Sequence, residues 1–315
     1  MFRKILFVLA LLGVSLAQAQ TAFPDRTVKI VVPLSPGGGN DVIARIVAQR
    51  LSANWKQPVI VENKAGGQTT IGANFVAKSD ADGYTLLSAQ PNILASSSVL
   101  LDQVPYDWET DLVPVAYIGS APPFVLAVSA KLNVKTVPEL KAYAQNKGLT
   151  YGSAGTGGPF HIYGEWFVHV LGVKGVHVPY KAAPPAVLDV VAGNLDMIFA
   201  PPAQVIQHIK AGTLIPIAVV GDRRVPSLPD TPTMVGLGLR QFPNIHTNYA
   251  IFAPAKTPPA ILKTLREDVA LAYEQSVDEL VQRGLVDPNA PTPKNFAQQA
   301  ISDGKTWVKL TEKVK

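Results

Sequence analysis

Residues 28–41 read Val28-Lys29-Ile30-Val31-Val32-Pro33-Leu34-Ser35-Pro36-Gly37-Gly38-Gly39-Asn40-Asp41, and residues 149–159 read Leu149-Thr150-Tyr151-Gly152-Ser153-Ala154-Gly155-Thr156-Gly157-Gly158-Pro159. Each joins a short β-rich run to a glycine turn and then to a segment of helical periodicity (Asp41 to Leu51; His161 to Leu171). A strand, a glycine turn and a helix N-terminus together expose free backbone N–H groups at the positive end of a helix dipole. That is an anion site that needs no charged side chain. Two such units suggest a cleft that grips an anion from both sides.

In the first turn, Pro36 sets the chain direction and the three glycines permit angles that other residues avoid. Asn40 or Asp41 is placed to cap the following helix. The N–H groups of Gly37 to Asn40 would hold a carboxylate, with the Ser35 hydroxyl beside them. A tight strand-to-helix connection without a ligand is the alternative. A nucleotide loop is excluded, because neither the Gly-Lys-Ser/Thr ending nor a complete G-x-G-x-x-G is present. The second turn adds the Ser153 and Thr156 hydroxyls. Three or four hydrogen bonds to a charged acceptor, at roughly 1.5–3 kcal/mol each, supply micromolar binding without any lysine or arginine in the pocket.

The N-terminus carries Arg3 and Lys4, an apolar stretch from Ile5 to Leu16, and Ala17-Gln18-Ala19. This is the pattern of an export signal cleaved near Ala19, with residues 1–19 removed. The apolar stretch is too short for the roughly 20 residues of a membrane span. The net charge of +5 falls to about +3 without Arg3 and Lys4, and the basic residues are scattered, which argues against nucleic-acid binding. There is no cysteine, so thiolate catalysis and cysteine zinc sites are excluded, and a chain of 315 residues can bury a core without disulfides.

Strand-like runs (Val28 to Val32, Val59 to Glu62, Tyr84 to Ser88, Val125 to Val128, Met197 to Phe199, Ile215 to Val220) alternate with helical segments (Asp41 to Leu51, Ile71 to Ala77, Val137 to Gln145, His161 to Leu171, Pro185 to Ala192, Pro259 to Ser276). Such alternation predicts an α/β fold. Gly148, Gly172 and Gly193 sit at expected left-handed C-caps, and Thr136 at an N-cap. Gly119 to Pro123 and Asn244 to Ala255 interrupt the pattern and read as two crossings between lobes. Lobe one then holds residues 20–120 and 246–315, and lobe two residues 121–245; a single α/β domain with insertions is the alternative.

Enzymatic readings have less support. Gly152-Ser153-Ala154-Gly155 fails the G-x-S-x-G spacing, and no H-E-x-x-H or paired carboxylate accompanies the histidines at 161, 169, 177, 208 and 246. His169, His177 and His208 read as surface or partner-satisfied residues. His161, opening the helix after the second turn, either donates to a ligand or caps. Asp189 and Asp196 read as caps or turn residues. An exported hydrolase using Ser153 or His161 remains a minor alternative, and no cofactor or metal is called for.

At these residues the chain resembles the periplasmic substrate-binding proteins of tripartite tricarboxylate transporters, the Bug family. The resemblance runs through FPDRTVKIVVPLSPGGGNDVIAR (Phe23 to Arg45), VIVENKAGG (Val59 to Gly67), IGANFVAKSDADGYTLL (Ile71 to Leu87), LTYGSAGTGGPFHIYGEWF (Leu149 to Phe167), VHVPYKAAPPAVLDVVAGNLDMIF (Val176 to Phe199), RRVPSLPDTPTM (Arg223 to Met234) and FAPAKTPPAI (Phe252 to Ile261). It implies a two-lobed, Venus-flytrap fold of the periplasmic-binding-protein type II class, each lobe a sheet flanked by helices. It also implies capture of a small organic carboxylate, aromatic or dicarboxylate, and delivery to the membrane subunits of a transporter by a periplasmic monomer. Presentation of the ligand to a signalling kinase is the alternative use of the same cleft. On that pattern Leu34, Ser35, Gly37, Gly38 and Asn40 contact the ligand from lobe one, with Gln90 and Asn92. From lobe two come Ser153, Ala154, Thr156, Gly157, His161 and Tyr180. The chain departs from the pattern at Ala182-Ala183 and at Ala200, where the family commonly has hydroxyl-bearing and acidic residues. If Ala200 lines the cleft, the pocket favours an apolar or aromatic body over an amino acid.

Overall fold

The computed structural model describes residues 23–242 and 247–314. The export signal and its cleavage position near Ala19 lie outside the described residues, as do Asn244, Ile245 and His246 of the second crossing.

The chain builds two five-stranded sheets. The first contains β1 (Val28–Val32), β2 (Val59–Asn63), β3 (Thr85–Ala89), β4 (Leu112–Ser120) and β10 (Asn248–Pro254), in the order β2-β1-β3-β10-β4. The second contains β5 (Val125–Ser129), β6 (Leu149–Ser153), β7 (Gly175–Pro179), β8 (Met197–Ala200) and β9 (Leu214–Val219), in the order β7-β6-β8-β5-β9. The two orders are the same plan. β1 pairs in parallel with β2 and β3, as β6 does with β7 and β8. The antiparallel fourth strand, β10 in one sheet and β5 in the other, is the strand that arrives from the opposite lobe. The chain therefore crosses twice, and the crossings touch: Ala121 N–H donates to the Thr247 carbonyl at 2.8 Å.

Local sequence accounts for the elements. β1 (VKIVV) is β-branched at four of five positions and buried at the same four, as a central parallel strand must be. The first helix, α1 (Gly39–Trp55), buries Ile43, Ala44, Val47 and Leu51 at helical spacing and stops at Lys56, which is left-handed at φ 57°. Along the chain follow α2 (Thr70–Ala77), α3 (Pro91–Leu100), α4 (Val137–Lys147), α5 (Pro159–Leu171), α6 (Ala183–Ala192), α7 (Pro202–Lys210), α8 (Pro259–Glu274), α9 (Val277–Gln282) and α10 (Phe296–Val314). Thr136 caps α4 by accepting from Glu139 N–H at 3.3 Å. Gly172 and Gly193 close α5 and α6 in the left-handed conformation. Gly148 differs: its φ is positive, but ψ is −172°, so it turns the chain straight into β6.

α10 joins the lobes. Trp307 is fully buried and meets Tyr163 of α5 edge-on, with ring centroids 5.6 Å apart. Among the described residues no helix is long and apolar enough to cross a membrane.

Candidate functional site

β1, β2, β6 and β7 run in parallel within their sheets, and the segments after their carboxyl ends come together. In open α/β sheets this is where ligands bind. A cavity of about 230 Å³ lies there, lined from lobe one by Pro33, Leu34, Ser35, Ala65, Gly66, Gln68, Thr69, Ile93, Ser96 and Ser97. Ala154, Gly155, Thr156, Gly157, Gly158 and Lys181 line it from lobe two. The second glycine turn thus faces the cavity directly, whereas the first unit reaches it through Pro33, Leu34 and Ser35, and Gly37, Gly38 and Asn40 do not line it. The lobes are close: a Cβ on Gly157 would sit 2.6 Å from Leu100 Cδ1 at the end of α3.

The first turn is organised by Asp41. Its carboxylate accepts from Gly37 N–H at 2.9 Å, from Asn63 Nδ2 at 2.8 Å and from Arg45 at 3.0 Å. Burial pushes the Asp41 carboxyl up, but the hydrogen bonds from Arg45, Gly37 and Asn63 outweigh it and leave the group below its ordinary value. Gly37 N–H is therefore engaged. The opening N–H groups of α1, at Gly39 and Asn40, have no intrahelical acceptor, as at any helix start, and neither residue lines the cavity. The Asn40 side chain points inward and is 3% exposed, donating to the Ser88 carbonyl at 2.7 Å and accepting from Ser88 Oγ at 3.0 Å.

The second turn is braced from behind by a polar cluster. Ser153 is fully buried; its Oγ donates to the Gly155 carbonyl at 2.6 Å and lies 2.6 Å from His177 Nε2. With the hydroxyl hydrogen on Gly155, His177 Nε2–H is the donor to Ser153. Gly157 N–H donates to His161 Nδ1 at 3.1 Å, which leaves His161 Nε2 toward Glu165, 3.6 Å away. The His161 and His177 rings stack at 3.9 Å, and Tyr151 hydroxyl donates to Glu165. Burial, and then the neighbouring His161, depress His177 to about 4, so its imidazole is neutral at pH 7. Burial raises Glu165, but hydrogen bonds from His161 and Tyr151 outweigh it and leave the carboxyl below its ordinary value.

These contacts sort the residues expected from sequence. Leu34, Ser35, Ala154, Thr156 and Gly157 line the cavity together. Ser153 and His161 lie behind it as braces, and His161 caps by accepting from Gly157. Gln90 is 8% exposed and hydrogen-bonds the Tyr249 hydroxyl. Asn92 is 2% exposed with both amide atoms unpartnered. The Tyr180 hydroxyl is held by Asp189. Ala200 is fully buried in the core of the second sheet, beside Val125, so it does not decide the character of the cleft.

Hydrogen bonds from the turns suffice for binding without a lysine or arginine; the cavity nonetheless has Lys181 in its wall, and no acidic side chain lines it among the described residues. Gln68, Thr69, Ile93, Ser96 and Ser97 were also not anticipated. The double glycine at 66–67 is a turn signal directly after β2 and marks the first two; the serines of α3 carry no such signal. A larger open groove of about 800 Å³ lies between β1, β3 and α2, but its Arg26 and Lys29 are already paired with Asp82 and Glu62.

Comparison with known proteins gives the chain's family and matches its fold to solved structures. The family described as tripartite tricarboxylate transporter family receptor matches residues 43–315. BugT of Bordetella pertussis is 33% identical over 298 residues, covering 91% of this chain and 90% of that protein. An R. palustris protein solved with adipate superposes with a TM-score of 0.81 at 30% identity, covering 93% of this chain and 98% of that one. MatC from Rhodopseudomonas palustris, solved with bound malate, gives 0.79 at 26% identity, covering 92% and 100%.

Proposed function

Because the chain belongs to the tripartite tricarboxylate transporter receptor family, we propose that this receptor captures a small aliphatic dicarboxylate between its lobes and delivers it to the transporter's membrane subunits. It is a solute receptor and not an enzyme. The observation that carries the ligand class is the lining of the cavity: the glycine turn at 154–158, the Ser35 and Thr156 hydroxyls and Lys181, with no acidic side chain among the described residues. An α-ammonium group would find no counter-charge there. Among the described residues no aromatic side chain lines the cavity, and its apolar contacts come from Leu34 and Ile93 with proline and alanine. That favours an aliphatic chain over an aromatic body. The first carboxylate sits between the Ser35 side of the first turn and the Thr156 side of the second, with Ser35 and Thr156 hydroxyls donating. Lys181 takes the second carboxylate.

Binding from both lobes draws them together, so the closed form is the state that membrane subunits distinguish from the empty one. We place the receptor in the periplasm as a monomer, released by cleavage after Ala19. The resemblance of the solved relatives with adipate and malate supports the carboxylate reading. A thermal-shift screen over mono-, di- and tricarboxylates and amino acids tests it, since a ligand specific for the folded state raises the melting temperature. Aliphatic dicarboxylates give the largest shifts, and Thr156→Val weakens them by about 1 kcal/mol. Shifts from amino acids alone would overturn the assignment.

A further inference from the structure

Four consecutive residues, Gly66, Gly67, Gln68 and Thr69, have positive φ, at 125°, 54°, 50° and 76°. Glycine takes such angles freely, whereas side-chain-bearing residues do not. Thr69 is branched at Cβ, which makes it a strong outlier. The strain lies at the cleft, for Gly66, Gln68 and Thr69 all line the cavity. Neighbouring hydroxyls hold the turn in place: Ser97 Oγ donates to the Gln68 carbonyl and Thr70 Oγ1 to the Gly67 carbonyl, each at 2.6 Å.

Two side-chain oxygens of this strained turn, Gln68 Oε1 and Thr69 Oγ1, are buried without a hydrogen-bond partner. Buried polar atoms are nearly always satisfied, so such a pair in a cavity wall marks a place for a ligand atom. Gln68 Oε1 is also directed across the cleft, 3.8 Å from the position a Cβ would take on Gly157. Gln68 is therefore a lobe-one side chain at the point where lobe two approaches.

An ionised carboxylate only accepts hydrogen bonds, so it cannot satisfy an amide oxygen. A hydroxyl can donate to Gln68 Oε1 while exchanging a hydrogen bond with Thr69 Oγ1. We infer that the 66–69 turn is the discriminating wall of the cleft, reading a hydroxyl group on the carbon skeleton of the bound carboxylate through Gln68 and Thr69. This rests on the carboxylate reading of the cavity and narrows it to hydroxylated acids. Strain of this kind persists where function requires it. Here it directs two side chains into a space that a glycine turn would leave unlined.

Calorimetry on the mature protein with matched pairs tests the inference: succinate and malate, glutarate and 2-hydroxyglutarate, adipate and 3-hydroxyadipate. In at least one pair the hydroxylated acid binds about tenfold more tightly, the ratio one net hydrogen bond supports. Gln68→Leu brings that pair within about twofold. Gln68→Gly, which removes the side chain and suits the positive φ, gives the same loss of preference and serves if the leucine variant does not fold. Equal binding of both members in every pair overturns the inference and leaves the carboxylate reading intact. A preference that survives in a folded Gln68 variant also overturns it. Failure of every carboxylate in the thermal-shift library removes both readings together.

Discussion

Replacing Thr69 by glycine should stabilise the empty receptor while weakening what it recognises. Thr69 holds φ at 76° and is 4% exposed, with its hydroxyl unpartnered. Relieving a left-handed backbone at a β-branched residue returns about 1–2 kcal/mol. Removing a buried hydroxyl that lacks a partner returns roughly 1–3 kcal/mol. Against this, glycine loses about 0.5–1 kcal/mol more conformational entropy on folding, and the deleted methyl group costs about 0.8 kcal/mol of burial. The net is a gain of roughly 0–4 kcal/mol, centred on about 2 kcal/mol. Urea unfolding of the ligand-free protein should show a higher midpoint at unchanged slope, and thermal unfolding a rise in melting temperature of roughly 4–8 °C for a gain of about 2 kcal/mol. The same variant should bind its carboxylate less tightly by calorimetry. Destabilisation by more than about 1 kcal/mol would refute the reasoning, because it would mean that Thr69 contributes packing rather than strain.

Other substitutions probe other parts of the molecule. Gly164→Ala should destabilise the second lobe by about 1–3 kcal/mol in urea unfolding, because the added Cβ would meet Tyr151 Cδ2 and Cε2 at 2.4 Å; a change below about 0.5 kcal/mol would show that the ring yields. His177 stays neutral in the folded protein down to about pH 4 but protonates near 6.5 when unfolded. The unfolded chain therefore binds the extra proton between those values. The contribution is fully present above pH 6.5 and is lost as pH falls toward 4, about 2 kcal/mol after allowing for partial exposure. Comparing wild type with His177→Gln from pH 4 to 7.5 should show a shallower decline in the variant, and parallel curves would exclude His177 as the source. Lys181→Met should reduce dicarboxylate affinity by about 1 kcal/mol and flatten its dependence on salt, with monocarboxylates hardly affected. Equal loss for both classes would remove Lys181 from the second carboxylate.

Much of the fold is legible in the chain because its signals are local. β1 and the start of β6 follow from β-branched and apolar runs, and the helices after them from apolar spacing and glycine punctuation. α3 was harder to see: PNILASSSVL has three serines and little amphipathic contrast, and tertiary burial of Ser96 and Ser97 makes it a helix against weak propensity. The second lobe's edge strand β7 was also missed, since Gly175 and Val176 are exposed and its pairing with β6 is what makes it a strand.

By itself the sequence determined two strand–glycine turn–helix units and a family resemblance spread along the chain. These depend on residues adjacent to one another and on backbone angles that glycine permits. Tertiary structure alone decided which side chains line the cavity. Asn40 turns inward because Ser88, distant in sequence, meets it there, and Ser153 is buried because β7 sets His177 beside it. Gln68, Thr69 and Lys181 reach the cavity because two separate sheets bring their carboxyl ends together. A turn's sequence states what its backbone can do; the direction of each side chain is set by contacts that only the folded pair of lobes supplies.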